Sequence, residues 1–138
     1  MRSTRDAIAP AVDRVLEAVE GADLNPDQRD DFAVAVAEAL SNAAVHGNRL
    51  DAETPVRVTV VVTPNDRAVV DVQDAGSGFD VAELSDPTES PQLLMPGGRG
   101  VFLMRRLVDR LEYNAAGNQV RLTAVRRRGP RRRQRSPR

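Results

Sequence analysis

The sequence predicts a two-layer α+β sandwich in which helices cover one face of a mostly antiparallel mixed sheet. Two helical patterns come first in the chain, and runs of β-branched residues follow them. The turn between the first two strand patterns is too short for a parallel crossover. Helices and strands grouped in this way are typical of two-layer α+β domains. The chain of 138 residues, 41% of them apolar, suits one such domain.

The two N-terminal helices are predicted from apolar residues that recur at helical spacing. The first covers residues 3–19, and a glycine-containing break covers residues 21–25. Asn25 is a typical N-cap and Pro26 a typical first helical residue, so the second helix is expected to begin there. Its pattern continues to about His46.

Four strands are predicted, at residues 56–63, where nearly every residue is β-branched, and at residues 68–73, 111–114 and 119–125. Short turns join the first two and the last two, so each pair is expected to form an antiparallel hairpin. Between the hairpins, residues 81–98 hold three prolines and paired glycines, which predicts a long mobile loop. A short helix over residues 100–108 follows the loop.

Composition limits the possible kinds of site and location. The sequence has no cysteine and one histidine, which excludes thiolate and multi-histidine metal sites. No apolar run approaches the ~20 residues of a membrane span, and no signal peptide pattern opens the sequence. The expected location is therefore the cytoplasm, without membrane contact.

Charge divides the chain into two parts. All twenty basic residues are arginine, and eight of them lie within residues 126–138, where there is no acid. Residues 1–125 hold twelve arginines and twenty acids, a net charge of minus eight, which disfavours nucleic-acid binding and suits a basic protein surface. The tail is expected to be disordered. It is either a solvated extension or a contact for nucleic acid or an acidic protein.

The second helix carries a polar strip beside its apolar stripe. Glu38 and Asn42 are four residues apart and therefore lie one turn apart on one side of the helix. His46 continues the strip, and Gly47 offers a C-terminal stop. The strip is either a solvated edge or the wall of a site. In a site, Glu38 would take a proton or hold a water, and Asn42 would offer an oxygen to a hard cation.

Two glycine motifs follow. Asp74-Ala75-Gly76-Ser77-Gly78 comes directly after a predicted strand, and it is either a simple turn or an approach of backbone to a flat ligand. Asp74 could then accept a hydrogen bond from an exocyclic amino group such as that of adenine. Gly97-Gly98-Arg99-Gly100 opens the short helix as either a hinge or a phosphate cradle. No Lys-Ser or Lys-Thr follows it, so it is not a P-loop.

In this order, the three motifs resemble those of the GHKL ATPases, which share the Bergerat nucleotide-binding fold. The segment EALSNAAVHGN resembles the N box of the small serine kinases that act as bacterial anti-sigma factors. The segment GGRGVFLMRRLVDRLEY resembles their second glycine box and the helix after it. The resemblance covers about residues 4–125 and implies an ATP-binding kinase domain over residues 1–125.

The resemblance implies a role for each motif. Glu38 would be the general base and Asn42 the magnesium ligand. Asp74 would bind the adenine amino group, and Gly76 and Gly78 would shape that pocket. Residues 81–99 would form an ATP lid.

Further nucleotide contacts would come from the end of the N box and from the second glycine box, at His46, Gly98, Arg99, Gly100 and Val101. Arg99 is either a phosphate contact or a solvated loop arginine.

The resemblance also implies a function. The chain would be a serine/threonine kinase that uses ATP and magnesium, phosphorylates an anti-sigma factor antagonist, binds a sigma factor and forms a homodimer. Two rivals remain: a nucleotide-gated binding module without kinase activity, and a switch kinase that never touches a sigma factor. Glu38 argues against the first, because a pure binder needs no base.

One departure from the family concerns the sheet edge. Related kinases usually begin with a strand before the first helix, and here only residues 1–3 precede it. Three alternatives remain: the edge is open, a partner covers it, or the true start of the protein lies upstream of residue 1.

Overall fold

Three α-helices and one four-stranded sheet make up the described part of the chain, in a computed structural model that covers residues 1–78 and 98–127. The helices are α1 (Ile8–Ala18), α2 (Pro26–Ser41) and α3 (Gly98–Leu107), and a π-helix (Asn42–Gly47) continues α2. The strands are β1 (Arg57–Thr63), β2 (Arg67–Gln73), β3 (Arg110–Tyr113) and β4 (Gln119–Val125).

The sheet has the strand order β1-β2-β4-β3. The hairpins β1-β2 and β3-β4 form as predicted, and β2 pairs with β4, with Val70 opposite Leu122. All three pairings are antiparallel, whereas a mostly antiparallel mixed sheet was expected. The α+β fold class is confirmed.

The hydrophobic core lies between the helices and one face of the sheet. Alternate residues of the two central strands point into it, and Val70 and Leu122 are fully buried. Phe32 and Leu40 of α2 and Met104 of α3 pack against the same face. Valine, leucine and alanine fill most of this core, as the low aromatic content of 3% requires.

The start of α2 is fixed by a capping box. The Asn25 side chain accepts a hydrogen bond from the Gln28 N–H at 2.8 Å, and Gln28 Oε1 accepts one from the Asn25 N–H at 3.2 Å. The N-cap prediction is confirmed. The buried Gln28 amide also donates to the Val125 carbonyl at 2.6 Å, which ties the start of α2 to the end of β4.

The first two residues of the predicted tail are attached to the folded domain. Arg126 forms an ion pair with Asp23 at 3.0 Å, and Arg127 forms one with Asp109 at 3.2 Å. The Arg127 N–H also donates to Gln28 Oε1 at 3.1 Å. Local order therefore extends two residues past the boundary expected at residue 125. The rest of the tail lies outside the described residues.

The N-terminus lies at the β1 edge of the sheet. Met1 and Val56 exchange two backbone hydrogen bonds, of 2.9 Å and 2.8 Å. Beyond this one pair, β1 has only β2 as a neighbour among the described strands, and Val61 is 58% exposed. None of the helices in the described part of the chain combines the length and apolar character that a membrane span requires.

Candidate functional site

A cavity of about 410 Å³ opens where the π-helix, the end of β2 and the β3-β4 turn meet. This volume is within the range of small-molecule sites. Its polar lining includes three predicted site side chains, Asn42, His46 and Asp74, and the two predicted glycines, Gly76 and Gly78. The structure therefore brings two of the three motifs together around one cavity.

The floor of the cavity is apolar and comes from three different elements. Val72 of β2, Val120 of β4 and Met104 of α3 all line it and are all buried. Ala39 and Ala43 add small side chains from the helix, which leaves room above them. A flat aromatic ring fits such a floor, because it gains apolar contact on one face and needs polar partners only at its edge.

Asp74 supplies a polar partner at that edge. It follows the last residue of β2, and its N–H donates to the Asn118 carbonyl at 2.9 Å. Its Oδ1 accepts the Gly76 N–H at 2.7 Å. Partial burial raises the pKa of the Asp74 carboxyl above its ordinary value, and the Gly76 N–H partly opposes this rise. A half-buried carboxylate beside an apolar floor is costly without a ligand that donates to it.

The position of Asp74 depends on Gly47 at the end of the π-helix. A Cβ at Gly47 would lie 2.7 Å from the Asp74 Cβ and closer still to its carboxyl group. The helix ends at Gly47, as expected, but the left-handed residues after it are Arg49 (φ 53°) and Leu50 (φ 58°). Gly47 is therefore required for close approach rather than for an unusual backbone angle.

The glycines after Asp74 are also packed closely. A Cβ at Gly76 would lie 2.5 Å from the Gly47 carbonyl oxygen. Gly78 has a positive φ of 78°, and a Cβ there would lie 2.9 Å from the carbonyl carbon of Ala116. Both glycines let the backbone pass close to a neighbouring segment of the protein, and the expected approach to a flat ligand stays a prediction.

Glu38 lies beside α3 rather than among the residues that line the cavity. A Cβ at Gly100 would lie 2.8 Å from the Glu38 Cδ and closer to one of its oxygens. The half-buried carboxylate therefore touches the first turn of α3. The predicted base and the predicted phosphate cradle are in contact, although they are 62 residues apart in the sequence.

Asn42 lies between these two regions, at the junction of α2 and the π-helix. It lines the cavity one turn after Glu38, with its side chain half-buried, and His46 lies exposed one turn further on. The described residues contain no group of three or more histidine or acidic side chains that could hold a metal ion. A single protein oxygen such as that of Asn42 would leave the remaining coordination positions of a magnesium ion to phosphates and water, which this metal usually keeps as ligands beside nucleotides.

The second glycine box forms the first turn of α3, which begins at Gly98. The Val101 side chain is 3% exposed and packs in the core, so only its backbone could contact a nucleotide. The side chain of Arg99 is outside the described part. The expected lid over residues 81–99 also lies outside the described residues, except for the backbone of its last two.

Asn48 is a site residue that the sequence analysis missed. Its side chain is 6% exposed, and its Oδ1 accepts the Ala75 N–H at 2.8 Å. Its Nδ2 donates to Ser3 Oγ at 2.9 Å and to the Thr54 carbonyl at 3.1 Å. The signal was the last asparagine of the segment EALSNAAVHGN, but loops contain many asparagines without such partners.

The β3-β4 turn was predicted only as a turn, yet it supports the Asp74 loop. Asn114 Oδ1 accepts the N–H groups of Gly117 and Asn118 at 2.8 Å and 3.0 Å. The Asn118 side chain then donates to the Gly76 carbonyl at 3.3 Å. The turn and the glycine motif therefore hold each other in place.

Tyr113 is a second missed residue, because it lies in the cavity lining at the end of β3. Burial raises the pKa of its phenol well above its ordinary value; Arg105 acts against this shift and Glu38 with it. The phenol therefore stays neutral at working pH. Its hydroxyl-bearing ring is part of the cavity lining, and Glu38 is near enough to influence its pKa.

Comparison with known proteins identifies the family to which this chain belongs. A family model described as "Histidine kinase-like ATPase domain" matches residues 1–124 of the chain. That range includes every residue assigned to the candidate site above.

Curated relatives carry the name serine-protein kinase RsbW. One from Bacillus subtilis (strain 168) is 32% identical over 104 residues, which are 70% of this chain and 64% of the relative. One from Bacillus licheniformis is 33% identical over 89 residues, 60% of this chain and 55% of the relative. One from Bacillus pumilus is 29% identical over 125 residues, 83% of this chain and 69% of the relative. The chain thus spans less than two thirds of the first two relatives.

Proposed function

Because the chain belongs to the histidine kinase-like ATPase domain family, we propose that it is an ATP-dependent protein serine/threonine kinase of the anti-sigma type. The family match and the serine kinase relatives confirm the resemblance to the GHKL ATPases. The observation that carries the proposal is the contact between Glu38 and Gly100, which joins a candidate base to a candidate phosphate cradle.

Adenine recognition is assigned to the apolar part of the cavity. The base would lie on the floor formed by Val72, Val120 and Met104, and its amino group would donate to the Asp74 carboxylate. Gly47 and Gly76 support this assignment, since their missing side chains leave Asp74 in place at the rim. A donor from the ligand would offset the cost of the half-buried charge on Asp74.

The phosphates would extend along the helix towards the first turn of α3. The N–H groups of Gly98 and Gly100, in the first turn of α3, would donate to them, helped by the positive end of the helix dipole. Asn42 would hold the magnesium ion through its side-chain oxygen. ATP with magnesium supplies the phosphoryl group that is transferred and the charge that neutralises it.

Glu38 would act on the second substrate. Its carboxylate would accept the proton of a serine or threonine hydroxyl and hold that oxygen in line with the phosphate cradle. This role supports a kinase over the binding-module alternative, because a site that only binds a nucleotide needs no carboxylate beside Gly100. The Asn42 side chain between Glu38 and the cavity would keep the metal next to the transferred group.

The partners follow from the resemblance and from charge. We propose that the protein substrate is an anti-sigma factor antagonist and that a second partner is a sigma factor, with the chain acting as a homodimer in the cytoplasm. The net charge of minus eight over residues 1–125 supports a basic surface on one of these partners. A switch kinase that acts on an antagonist without binding a sigma factor remains the alternative.

Capture of partners with and without ATP tests the proposal. Immobilised protein would be incubated with lysate of the source cells, and bound proteins would be identified with their phosphoserines by mass spectrometry. We expect an antagonist that becomes phosphorylated when ATP and magnesium are present, and a sigma factor among the captured proteins. Capture of an antagonist alone would favour the switch kinase. ATP binding without phosphorylation of any captured protein would favour the binding module.

A further inference from the structure

Asn48 forms hydrogen bonds to three segments of the chain. Its backbone N–H donates to the Ala43 carbonyl at 2.8 Å, which closes the π-helical turn over a spacing of five residues. Its side-chain oxygen accepts the Ala75 N–H at 2.8 Å. Its side-chain nitrogen donates to Ser3 Oγ and the Thr54 carbonyl, so the amide is buried with partners for both of its ends.

The bond to Ala75 fixes the peptide unit that carries Asp74 out of β2. Asp74 is the first residue after the strand, and its own N–H is already held by the Asn118 carbonyl at 2.9 Å. The Asn48 oxygen holds the next N–H along the chain. With both N–H groups held, the direction in which the Asp74 side chain leaves the backbone is determined from two sides.

The π-helix explains how Asn48 reaches this peptide. In a continuous α-helix, the Asn48 N–H would donate to residue 44, whereas here it donates to Ala43. The extra residue in the turn changes where the following side chain points, and in this fold it points at Ala75. Single π-turns of this kind occur often at functional sites.

We propose that Asn48 is a positioning residue that sets the preference of the site for a 6-amino purine, acting through the Ala75 N–H on the orientation of Asp74. This inference rests on the proposed nucleotide site. It adds a specificity role for a residue that touches no ligand. The consequence is that loss of the Asn48 oxygen weakens discrimination between adenine and hypoxanthine nucleotides, and not only the stability of the fold.

Two substitutions at Asn48 test the role of the amide oxygen separately from that of the amide nitrogen. Asn48→Ala removes the acceptor for Ala75, and we expect the preference for ATP over inosine triphosphate to fall by about tenfold or more, equivalent to about 1.4 kcal/mol. Asn48→Asp keeps an oxygen facing the Ala75 N–H and should retain the preference. The carboxyl of that variant would face the Thr54 carbonyl, so its melting temperature should fall and recover partly at lower pH.

Ser3→Ala is the matched control, because it changes a hydrogen bond of the Asn48 amide nitrogen and not that of the amide oxygen. It removes the Ser3 hydroxyl, which bonds both Asn48 and the Thr54 carbonyl, and leaves the Ala75 contact intact. We expect a lower melting temperature with the wild-type preference between the two nucleotides. A merely structural role for Asn48 would instead make Asn48→Ala and Ser3→Ala alike in preference.

The experiment is a titration of the full chain and the three variants with ATP and with inosine triphosphate, both with magnesium, by calorimetry. Loss of preference in Asn48→Ala together with retention in Asn48→Asp and Ser3→Ala would support the proposal. Retention in Asn48→Ala would overturn it while leaving the nucleotide site intact. If Asn48→Ala does not fold, loss of preference in Asn48→Asp would also overturn it. Equal affinity of the wild type for both nucleotides would overturn the adenine assignment itself.

Discussion

The carboxylate of Glu38 lies directly against Gly100, the third residue of α3. A side chain as small as a methyl group at Gly100 would lie 2.8 Å from the Glu38 Cδ. The glycine is therefore part of the arrangement that keeps a carboxylate next to the start of a helix, where phosphates are also expected to bind. The Glu38 carboxylate and the start of α3 can act on the same phosphoryl transfer only if they stay this close.

Gly100→Ala should reduce phosphotransfer with little effect on folding. The methyl group would displace the end of a flexible glutamate side chain, which costs little, and alanine also favours helix over glycine by about 1 kcal/mol. We expect the transfer rate to fall by at least about tenfold, a part of the ~10²–10⁴-fold effect of a general base. The measurement is transfer of labelled phosphate together with a thermal melt.

Gly21→Ala is the matched control for that substitution. A Cβ at Gly21 would be in ordinary contact with Val62 Cγ1 at 3.5 Å, far from Glu38 in the sequence and outside the cavity lining. Its transfer rate should equal that of the wild type. Equal rates for Gly100→Ala and Gly21→Ala would contradict the importance of the Glu38–Gly100 contact.

Asp74→Asn should weaken ATP binding while leaving the free protein at least as stable at neutral pH. An amide at this position turns one acceptor oxygen into a donor, which opposes the adenine amino group and costs about 1–3 kcal/mol of binding. The raised pKa of Asp74 means that the folded protein favours its protonated form. Its stabilising contribution is present below the ordinary carboxyl pKa and is lost as the pH rises through the raised value.

Calorimetry and thermal melts at several pH values test this prediction. ATP affinity of the wild type should decrease as the pH falls through the raised pKa of Asp74, because a protonated carboxyl accepts less well. Asp71→Asn is the control, since Asp71 lies on β2, the strand that ends just before Asp74, and pairs with Arg121 outside the cavity lining. An Asp74→Asn variant that binds ATP like the wild type would show that Asp74 does not contact the base.

Asn42→Ala should remove most of the magnesium dependence of ATP binding. Asn42 is the oxygen donor that lies between the cavity and Glu38, and one lost ligand weakens a metal that the phosphates also hold. Titrations with magnesium and with a chelator should give similar affinities for the variant and different affinities for the wild type. Unchanged magnesium dependence in the variant would assign the metal to other ligands.

Truncation after Arg127 should leave ATP affinity and melting temperature unchanged. The removed segment contains no apolar side chain that could pack, and its charges are screened over about 8–10 Å at physiological salt. Truncation after Val125 should differ, because it removes the ion pairs to Asp23 and Asp109 and the bond to Gln28. We expect a loss of about 1 kcal/mol from these half-exposed contacts, seen as a lower melting temperature. Identical melts for both truncations would contradict a role for Arg126 and Arg127.

Much of the fold follows from local signals in the sequence. Asn25 and Pro26 determine where α2 begins because an N-cap depends only on residues within one turn. The short turns determine the pairing in both hairpins, because strands joined so closely can pair only in an antiparallel way. The motifs around Asn42 and Asp74 could also be predicted to meet, although only through resemblance to a family.

The remaining features depend on contacts between distant segments. The π-helix could not be predicted, because its residues also satisfy a helical pattern and the difference is one residue per turn. The role of Gly47 depends on Asp74, which lies 27 residues further along the chain. Asn48 has partners at Ser3 and Ala75, at separations of 45 and 27 residues, and no local pattern specifies them.

Glu38→Gln provides the most direct test of kinase activity. The substitution keeps the shape of the side chain and removes the basic oxygen beside Gly100. At saturating ATP and magnesium, transfer of labelled phosphate to the captured antagonist should fall by ~10²–10⁴-fold relative to the wild type, with ATP affinity unchanged. Transfer by the Glu38→Gln variant at the wild-type rate would contradict the assignment of Glu38 as the base.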